Sequence, residues 1–554
     1  MKTSFAHGRA SASHAANDFL APEGEIRIGA CMNRAVAFIG RHLLVACVGV
    51  AGFLSSPMLT GRVSASQGLE HAQSPQITCE SLFGLFLNDG VITSAVAVPA
   101  AGASPGYCRV LATVEPETDI ELRLPERWKQ RLLQVGSAGL GGFIPNLDGG
   151  TARLLEGYAL VASNSGHRDP TGGPTRYLGA PILIRDYSYG AIGTTVQLAK
   201  AVLHEYYGRK PRYSYYSGCS SGGREGLNAA AKFGEEFDGI LAGAPPRNFP
   251  GVVSRWALTT QLEGPSAAKL AALQQAQVMQ CDALDRLTDG IISHPEACRF
   301  DVTSLRCPDG MNSDSCLTDG EIAVVKTLRA DLRLANGRLA YPRFGLGNPA
   351  TGFGVFMPVG GPGTPDFAAF LGGSFLSYMV YNDPTYDTRT FDLNTDFPTV
   401  FDVFERQYDF TANTQPLAHF LRTGNKILLW HGAEDMLVSH VDTIRSFDEL
   451  TDAAGRHADN ARLYVLPGVQ HCGEGNGASQ IDFLSVLRDW VEKGRIPTNL
   501  VATRNDPAGN VLFARPVCEY PKYPRYEGEG DPADAASFRC VSPTRKGGSP
   551  DPWH

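Results

Sequence analysis

Several chemistries are excluded by what this 554-residue chain does not contain. It has no Cys-x-x-Cys pair and no His-Glu-x-x-His, so zinc-ribbon, iron–sulfur and zincin chemistry have no ligand set. It has no surplus of positive charge. Forty-nine Lys and Arg stand against 57 Asp and Glu, a formal charge of -8, which argues against nucleic acid as a partner. There is no long polar tract and no internal repeat, and beyond residue 75 no apolar run reads as a transmembrane helix. With 43% hydrophobic and 19% charged residues, the composition is that of a globular chain long enough for a large core and a second folding unit.

What is present starts with a leader, residues 1–73. Arg34 and Arg41 precede the apolar stretch 43–54, and small residues follow at Val63, Ser64, Ala65 and Ala72. This is the layout of a signal peptide, expected at 32–72, with Met32 an alternative start and processing between Ala65 and Gln73. A membrane anchor is the competing reading, but the apolar run is short for a span. A secreted or periplasmic protein, without stable membrane insertion after processing, is therefore expected. Ten cysteines remain once Cys31 and Cys47 leave with the leader, an even number that suits full pairing in an oxidising compartment.

From about residue 115 to 248, β-rich and helical stretches alternate. Strands are expected at 131–135, 158–162, 213–216 and 239–242, and helices at 192–207 and 225–233. Alternation resumes with strands at 426–430 and 462–466 and a helix at 478–493. This predicts an α/β fold, an α/β-hydrolase core with a mostly parallel sheet, covering 74–250 and 401–554. Between them, 251–400 reads as an inserted lid domain, since loop-closure cost grows slowly with length.

Gly218-Cys219-Ser220-Ser221-Gly222 lies at a strand-to-helix junction, the arrangement of a nucleophile elbow. Ser220 is the candidate nucleophile, with the Ser221 amide aimed at the oxyanion. A second oxyanion donor is expected from the glycine-rich turn 136–142, with Gly139 preferred and Ala138 in reserve. In such folds the acid and histidine follow on loops after later strands. Asp435 is the preferred acid, with Glu434 its competitor, and His471 is the general base. His431 and His440 read as structural or near the pocket, His167 as a brace for the oxyanion loop, and His204 and His294 as uninvolved. Cys219 precedes the nucleophile and Cys472 follows the histidine, so an assembled triad makes a Cys219–Cys472 disulfide geometrically plausible; a thiol nucleophile at Cys219 is the alternative.

Cys281-Asp282-Ala283-Leu284-Asp285 continuing to Asp289-Gly290 places three carboxylates within eight residues. Oxygen ligands suit a hard cation such as Ca²⁺, though the spacing is not that of an EF-hand and an acidic, solvated helix end is the alternative. No organic cofactor is expected.

Taken together, Gly218-Cys-Ser-Ser-Gly-Gly-Arg-Glu-Gly226, Trp430-His-Gly-x-x-Asp435, Gly468-Val-Gln-His-Cys472 and Cys281-Asp-x-x-Asp-x-x-x-Asp-Gly290 resemble the tannase and feruloyl esterase family, which also includes mono(2-hydroxyethyl) terephthalate hydrolase. The resemblance runs from about Thr78 to the C-terminus. It implies esters of aromatic acids, hydroxycinnamic or gallic, as substrates, with the alcohol a small group, sugar or polyol. It also implies a structural calcium on Asp282, Asp285 and Asp289 with the carbonyls of Leu287 and Ile291. The cysteine pairing it implies is Cys79–Cys108, Cys219–Cys472, Cys281–Cys298, Cys307–Cys316 and Cys518–Cys540. Segment 375–384 resembles the lid segment lining the acyl pocket. Asn164 stands where the family commonly has aspartate, Gly193 where many members carry a larger polar residue, and no lid arginine is clearly placed for a terephthalate carboxylate. That leaves feruloyl-type or gallate-type esters ahead of the monoester reading. A serine peptidase and a non-catalytic binding module are the remaining alternatives.

Overall fold

The computed structural model describes residues 72–169, 173–353 and 367–543. The expected leader therefore lies outside the described residues, apart from its last two positions. Ten strands build the main sheet: β1 (Phe86–Leu87), β2 (Gly90–Val98), β3 (Tyr107–Val114), β4 (Thr118–Pro125), β5 (Arg131–Val135), β6 (Tyr158–Ser163), β7 (Tyr213–Cys219), β8 (Gly239–Gly243), then, after a short hairpin of β9 (Leu332–Arg333) and β10 (Leu339–Tyr341), β11 (Lys426–Gly432) and β12 (Ala461–Leu466). Their spatial order is β1-β2-β3-β4-β6-β5-β7-β8-β11-β12. The six from β6 onward run parallel, and β1 to β4 add antiparallel to β6.

Sequence and position agree in the centre of this sheet. Every residue of β6 and β8 is buried, the continuous apolar run expected of a strand covered on both faces. One face packs on helix Ala191–Tyr207 and its neighbours, and the other on helix Phe483–Lys493. Arg131 at the start of β5 forms a bidentate pair with Glu492 of the latter helix, at 2.7 and 2.5 Å.

Between β8 and β11 no strand joins the main sheet among the described residues. This stretch carries helices and the β9–β10 hairpin around an apolar cluster of its own, including Phe249, Trp256, Phe375 and Phe404. The described residues nevertheless form a single compact unit. Two hairpins close the chain, β13 (Leu500–Asn505) with β14 (Val511–Val517) and β15 (Tyr523–Tyr526) with β16 (Phe538–Val541). All five expected disulfides are present.

Two helix starts differ from expectation. The helix expected from 225 begins at Ser221, because the elbow turns directly into it. The helix expected from 478 begins at Phe483: Gln480 pairs with Thr503 instead, and the Asp482 side chain caps the helix by accepting from Ser485 N at 3.0 Å.

Candidate active site

Four loops leave C-terminal ends of parallel strands on one edge of the sheet: 136–142 after β5, Ser220 after β7, Asp435 after β11 and His471 after β12. Ser220 has φ 60° and ψ -124°, a conformation a serine adopts only under constraint. The constraint is visible in its neighbours. A Cβ on Gly218 would stand 2.6 Å from the Gly222 backbone, one on Gly222 2.8 Å from Ser137 O, and one on Gly223 2.2 Å from Gly243 O. The chain can turn this sharply only because those side chains are missing. Ser220 N–H donates to Gly243 O at 3.0 Å, tying the elbow to β8.

Asp435 is fully buried and its carboxylate accepts four hydrogen bonds. His471 Nδ1 reaches Oδ2 at 2.7 Å and His431 Nε2 the same oxygen at 3.0 Å, while the amides of Leu437 and Val438 donate to Oδ1 at 2.8 and 2.9 Å. Burial would raise this carboxyl, but His471 and His431 together hold it well below the usual carboxylate range. Glu434 turns its side chain to Asn348 instead. A carboxylate on Nδ1 fixes the proton there and leaves Nε2 as the basic nitrogen. The Cys219–Cys472 disulfide, with Cα atoms 5.9 Å apart, holds the residues adjoining Ser220 and His471 side by side and removes Cys219 as a thiol nucleophile.

The 136–142 turn is fastened to the elbow. Gly139, at φ +54°, has no atom within 4 Å of where a Cβ would sit, and its carbonyl accepts from Ser221 Oγ and Tyr187 Oη, both at 2.7 Å. Ser221 opens its helix, so its amide belongs to the first turn, whose N–H groups have no intrahelical acceptor and lie at the positive end of the helix dipole. Underneath lies Glu225, which sequence reasoning missed. Its buried carboxylate accepts from Ser137 N (2.9 Å) and Tyr216 Oη (2.6 Å) on Oε2, and from Ser137 Oγ (2.6 Å) and Ser165 Oγ (2.9 Å) on Oε1. A charged pair, Arg224-Glu225, in the opening turns of a helix made mostly of Gly, Ala, Ser and Asn was the available signal.

The other histidines sort by contact. His431 touches Asp435 directly and meets Thr443 Oγ1 at 2.8 Å through Nδ1. His167 packs below Gly141 and contacts Tyr177, whose hydroxyl donates to Leu140 O at 2.6 Å, so it braces the turn; burial pushes its imidazole down to about 4. His440 is buried near His431, His204 lies in helix Ala191–Tyr207, and His294 stacks on Tyr523 at 3.9 Å. Both family departures have local reasons. Asn164 accepts from Asp119 N and Gly166 N while its Nδ2 donates to Glu117 O at 2.9 Å, a donation aspartate cannot make. A Cβ on Gly193 would lie 2.3 Å from the Phe233 ring. Within 375–384, Phe375, Leu376 and Met379 are buried in an apolar cluster, whereas Tyr378 and Tyr381 stay partly exposed.

In the acidic loop, Asp282 Oδ2 accepts from Gly290 N, Asp285 Oδ1 from Leu287 N, and Asp289 Oδ1 from Ile291 N, at 2.9 to 3.1 Å. Asp289 Oδ2 pairs with Arg515 at 2.6 Å. Asp282 Oδ1 and Asp285 Oδ2 are buried without a protein partner, and burial raises the Asp285 carboxyl to about 6. Two orphaned hard oxygens fit a cation held by Asp282 and Asp285 with carbonyl support, whereas no three His, Cys, Asp or Glu side chains converge in a metal-holding group among the described residues.

Comparison with known proteins gives the family. The family model described as tannase and feruloyl esterase matches residues 104–541. An uncharacterised esterase of Xanthomonas campestris pv. campestris is 31% identical over 566 residues, covering 88% of this chain and 95% of that one. Feruloyl esterase B of Aspergillus niger is 27% identical, covering 79% and 87%. The crystal structure of feruloyl esterase B from Aspergillus oryzae superposes with a TM-score of 0.75 at 26% identity, covering 82% and 97%. Tannin acyl hydrolase from Aspergillus niger, at 21% identity and TM-score 0.68, shares the fold. The chain belongs to the tannase and feruloyl esterase family of carboxylic ester hydrolases.

Proposed function

We propose that the chain hydrolyses esters of aromatic acids, hydroxycinnamic or gallic in type, through an acyl-enzyme on Ser220. The observation that carries this is the 2.7 Å contact between His471 Nδ1 and Asp435, joined by a disulfide to the elbow that bears Ser220. His471 Nε2 takes the Ser220 proton as Oγ attacks the ester carbonyl. The amides of Ser221 and of the 136–142 turn, Gly139 first, receive the developing oxyanion. The alcohol leaves with the proton from His471, and a water deprotonated by His471 then releases the acid. No organic cofactor enters these steps. Support for the aromatic acid comes from relatives named feruloyl esterase B.

The test is hydrolysis of p-nitrophenyl acetate by Ser220→Ala, which should fall by about three orders of magnitude or more. Surviving activity overturns the nucleophile. Comparing kcat/KM for methyl ferulate, methyl gallate and mono(2-hydroxyethyl) terephthalate assigns the acid. The first or second should win, and a dominant third would make the enzyme a terephthalate monoesterase. We also propose export, which complete pairing of ten cysteines supports. A structural calcium belongs to the same reading, held by Asp282 and Asp285, with Asp289 and the carbonyls of Leu287 and Ile291 completing the loop. Its contribution would be to neutralise buried carboxylates and pin the loop.

A further inference from the structure

Asp435 is held by more than its catalytic partner. The amides of Leu437 and Val438 occupy Oδ1, and two imidazoles converge on Oδ2, His471 through Nδ1 at 2.7 Å and His431 through Nε2 at 3.0 Å. A carboxylate offers about four lone-pair directions, so both oxygens are filled and the group has no freedom to rotate. His431 lies within β11 rather than on a loop, and both it and Asp435 are fully buried. A strand residue therefore fixes the oxygen that the histidine of the next loop must find.

The tautomer of His431 follows from what surrounds it. Nε2 faces two acceptors, Asp435 Oδ2 and, at 3.1 Å, the carbonyl of Val438, so Nε2 carries a proton. Nδ1 lies 2.8 Å from Thr443 Oγ1 on helix His440–Ala454, a hydroxyl able to donate to it. Hydrogen bonds in such a series polarise one another, from Thr443 through the imidazole to the carboxylate. An N–H donated to Oδ2 also draws off part of the negative charge that a protonated His471 would otherwise feel.

We infer that His431 is a positioning residue of the ester-cleaving centre: it fixes the Asp435 carboxylate in the orientation that meets His471 and limits how tightly that carboxylate holds the His471 proton. The inference rests on the reading of His471 as general base. It has a definite sign. Without the His431 N–H, Oδ2 holds the imidazolium of His471 more strongly, so the base stays protonated to higher pH. A role in loop packing alone has the opposite consequence or none, because a loosened Asp435 stabilises the imidazolium less.

Other ionisable groups face this cluster. Glu434 adjoins Asp435, His440 has its ring centre 6.3 Å from that of His431, and Asp442 lies on the same helix as His440. Tyr341, whose hydroxyl accepts from Ser439 N at 2.9 Å, approaches from the β9–β10 hairpin, with Arg343 after it and Glu296 4.0 Å from His440. All of them are common to wild type and to variants at 431, so a difference between two pH profiles belongs to His431.

The experiment compares His431→Asn with His431→Gln, using the pH dependence of kcat/KM for p-nitrophenyl acetate, whose acid limb reports the base of the free enzyme. The shorter amide can meet Thr443 but falls short of Asp435, whereas the longer one can place its N–H where Nε2 stands. His431→Asn should move the acid limb up by about half a pH unit or more, and His431→Gln should bring it back towards wild type. Thermal melts report whether each variant folds. Where His431→Asn does not, Thr443→Val carries the test: it weakens the same series without touching Asp435 and should raise the limb by less, and an unmoved limb counts against the inference. An acid limb unmoved or lowered in folded His431→Asn, or raised equally in both amide variants, overturns it. Ser220→Ala run beside them separates the two readings: activity surviving there sinks the proposed mechanism, whereas its loss with an unmoved limb in His431→Asn sinks only the role of His431.

Discussion

The Cα atoms of Cys219 and Cys472, 253 residues apart in the chain, stand 5.9 Å from each other across a disulfide whose ends adjoin Ser220 and His471. The Ser220 and Cys472 backbones both take positive φ, 60° and 58°, in the loops that carry the two reacting positions. On the proposed mechanism, a link in this place holds the proton donor and its acceptor together. It does not touch the acyl group. Replacing both cysteines by serine should therefore lower kcat by about tenfold or more while KM moves little, since small misplacements of reacting groups are costly. Steady-state kinetics on the double variant checks this, and an unchanged turnover number contradicts it.

Glu225 makes a sharper separation possible. The Ser137 amide cannot turn away from Oε2, whereas the hydroxyls of Ser137 and Ser165 on Oε1 can rotate and accept from an amide instead. Glu225→Gln should keep kcat within about tenfold of wild type, and Glu225→Ala should lose about a hundredfold as the 136–142 turn drifts from the elbow. KM should change little in both. Normal turnover in Glu225→Ala would show that the turn holds its place without the carboxylate.

The contrast between these two pairs explains what a linear reading can reach. Ser220, His471, Asp435 and the Cys219–Cys472 contact were legible because each sits in a short motif at a strand end, and the order of strands brings those ends together. Glu225 under Ser137, or His431 on Asp435 Oδ2, depends on side chains meeting across the fold, which carries no local signature. The antiparallel strands β1 to β4 went unseen for a related reason: β2 has exposed positions breaking its alternation and a register shift between Ile92 and Ser94. Phe375 lies in the segment whose resemblance implies pocket lining, and its packing on Phe249 and Phe404 is likewise a contact across the fold that no local pattern announces.

Acidity should act on stability through Glu434. Burial pushes this carboxyl from 4.5 up to about 7, and Oε2 has no partner. Below pH 4.5 both folded and unfolded chains carry the proton and there is no penalty. Between 4.5 and 7 the unfolded chain ionises first, so stability falls as pH rises, and above 7 the folded chain bears the full cost of a buried charge. Glu434→Gln removes that titration. Its Tm should exceed that of wild type at pH 8 and approach it at pH 4.5. Thermal melts across this range test the sign; a larger gain at the acidic end reverses it.

Calcium binding is tested at Asp285, whose Oδ2 is buried without a partner beside Asp282 Oδ1 in the same condition. Three backbone amides turned inward by Leu287, Gly290 and Ile291 satisfy only one oxygen of each carboxylate. Left as it is, the loop holds a buried carboxyl with like charges nearby, and burial, with the charges of Asp289 and Asp282 behind it, raises Asp285 to about 6. A divalent ion relieves it, so added Ca²⁺ should raise Tm, with a gain set by the ratio of ion concentration to Kd. Asp285→Asn removes a charged ligand but also the repulsion. It should melt at nearly the same temperature with or without Ca²⁺, and above the chelated wild type if repulsion is the larger cost. Elemental analysis finding no calcium in the purified wild type, together with a Tm indifferent to Ca²⁺, would mean that Asp282 and Asp285 hold protons instead.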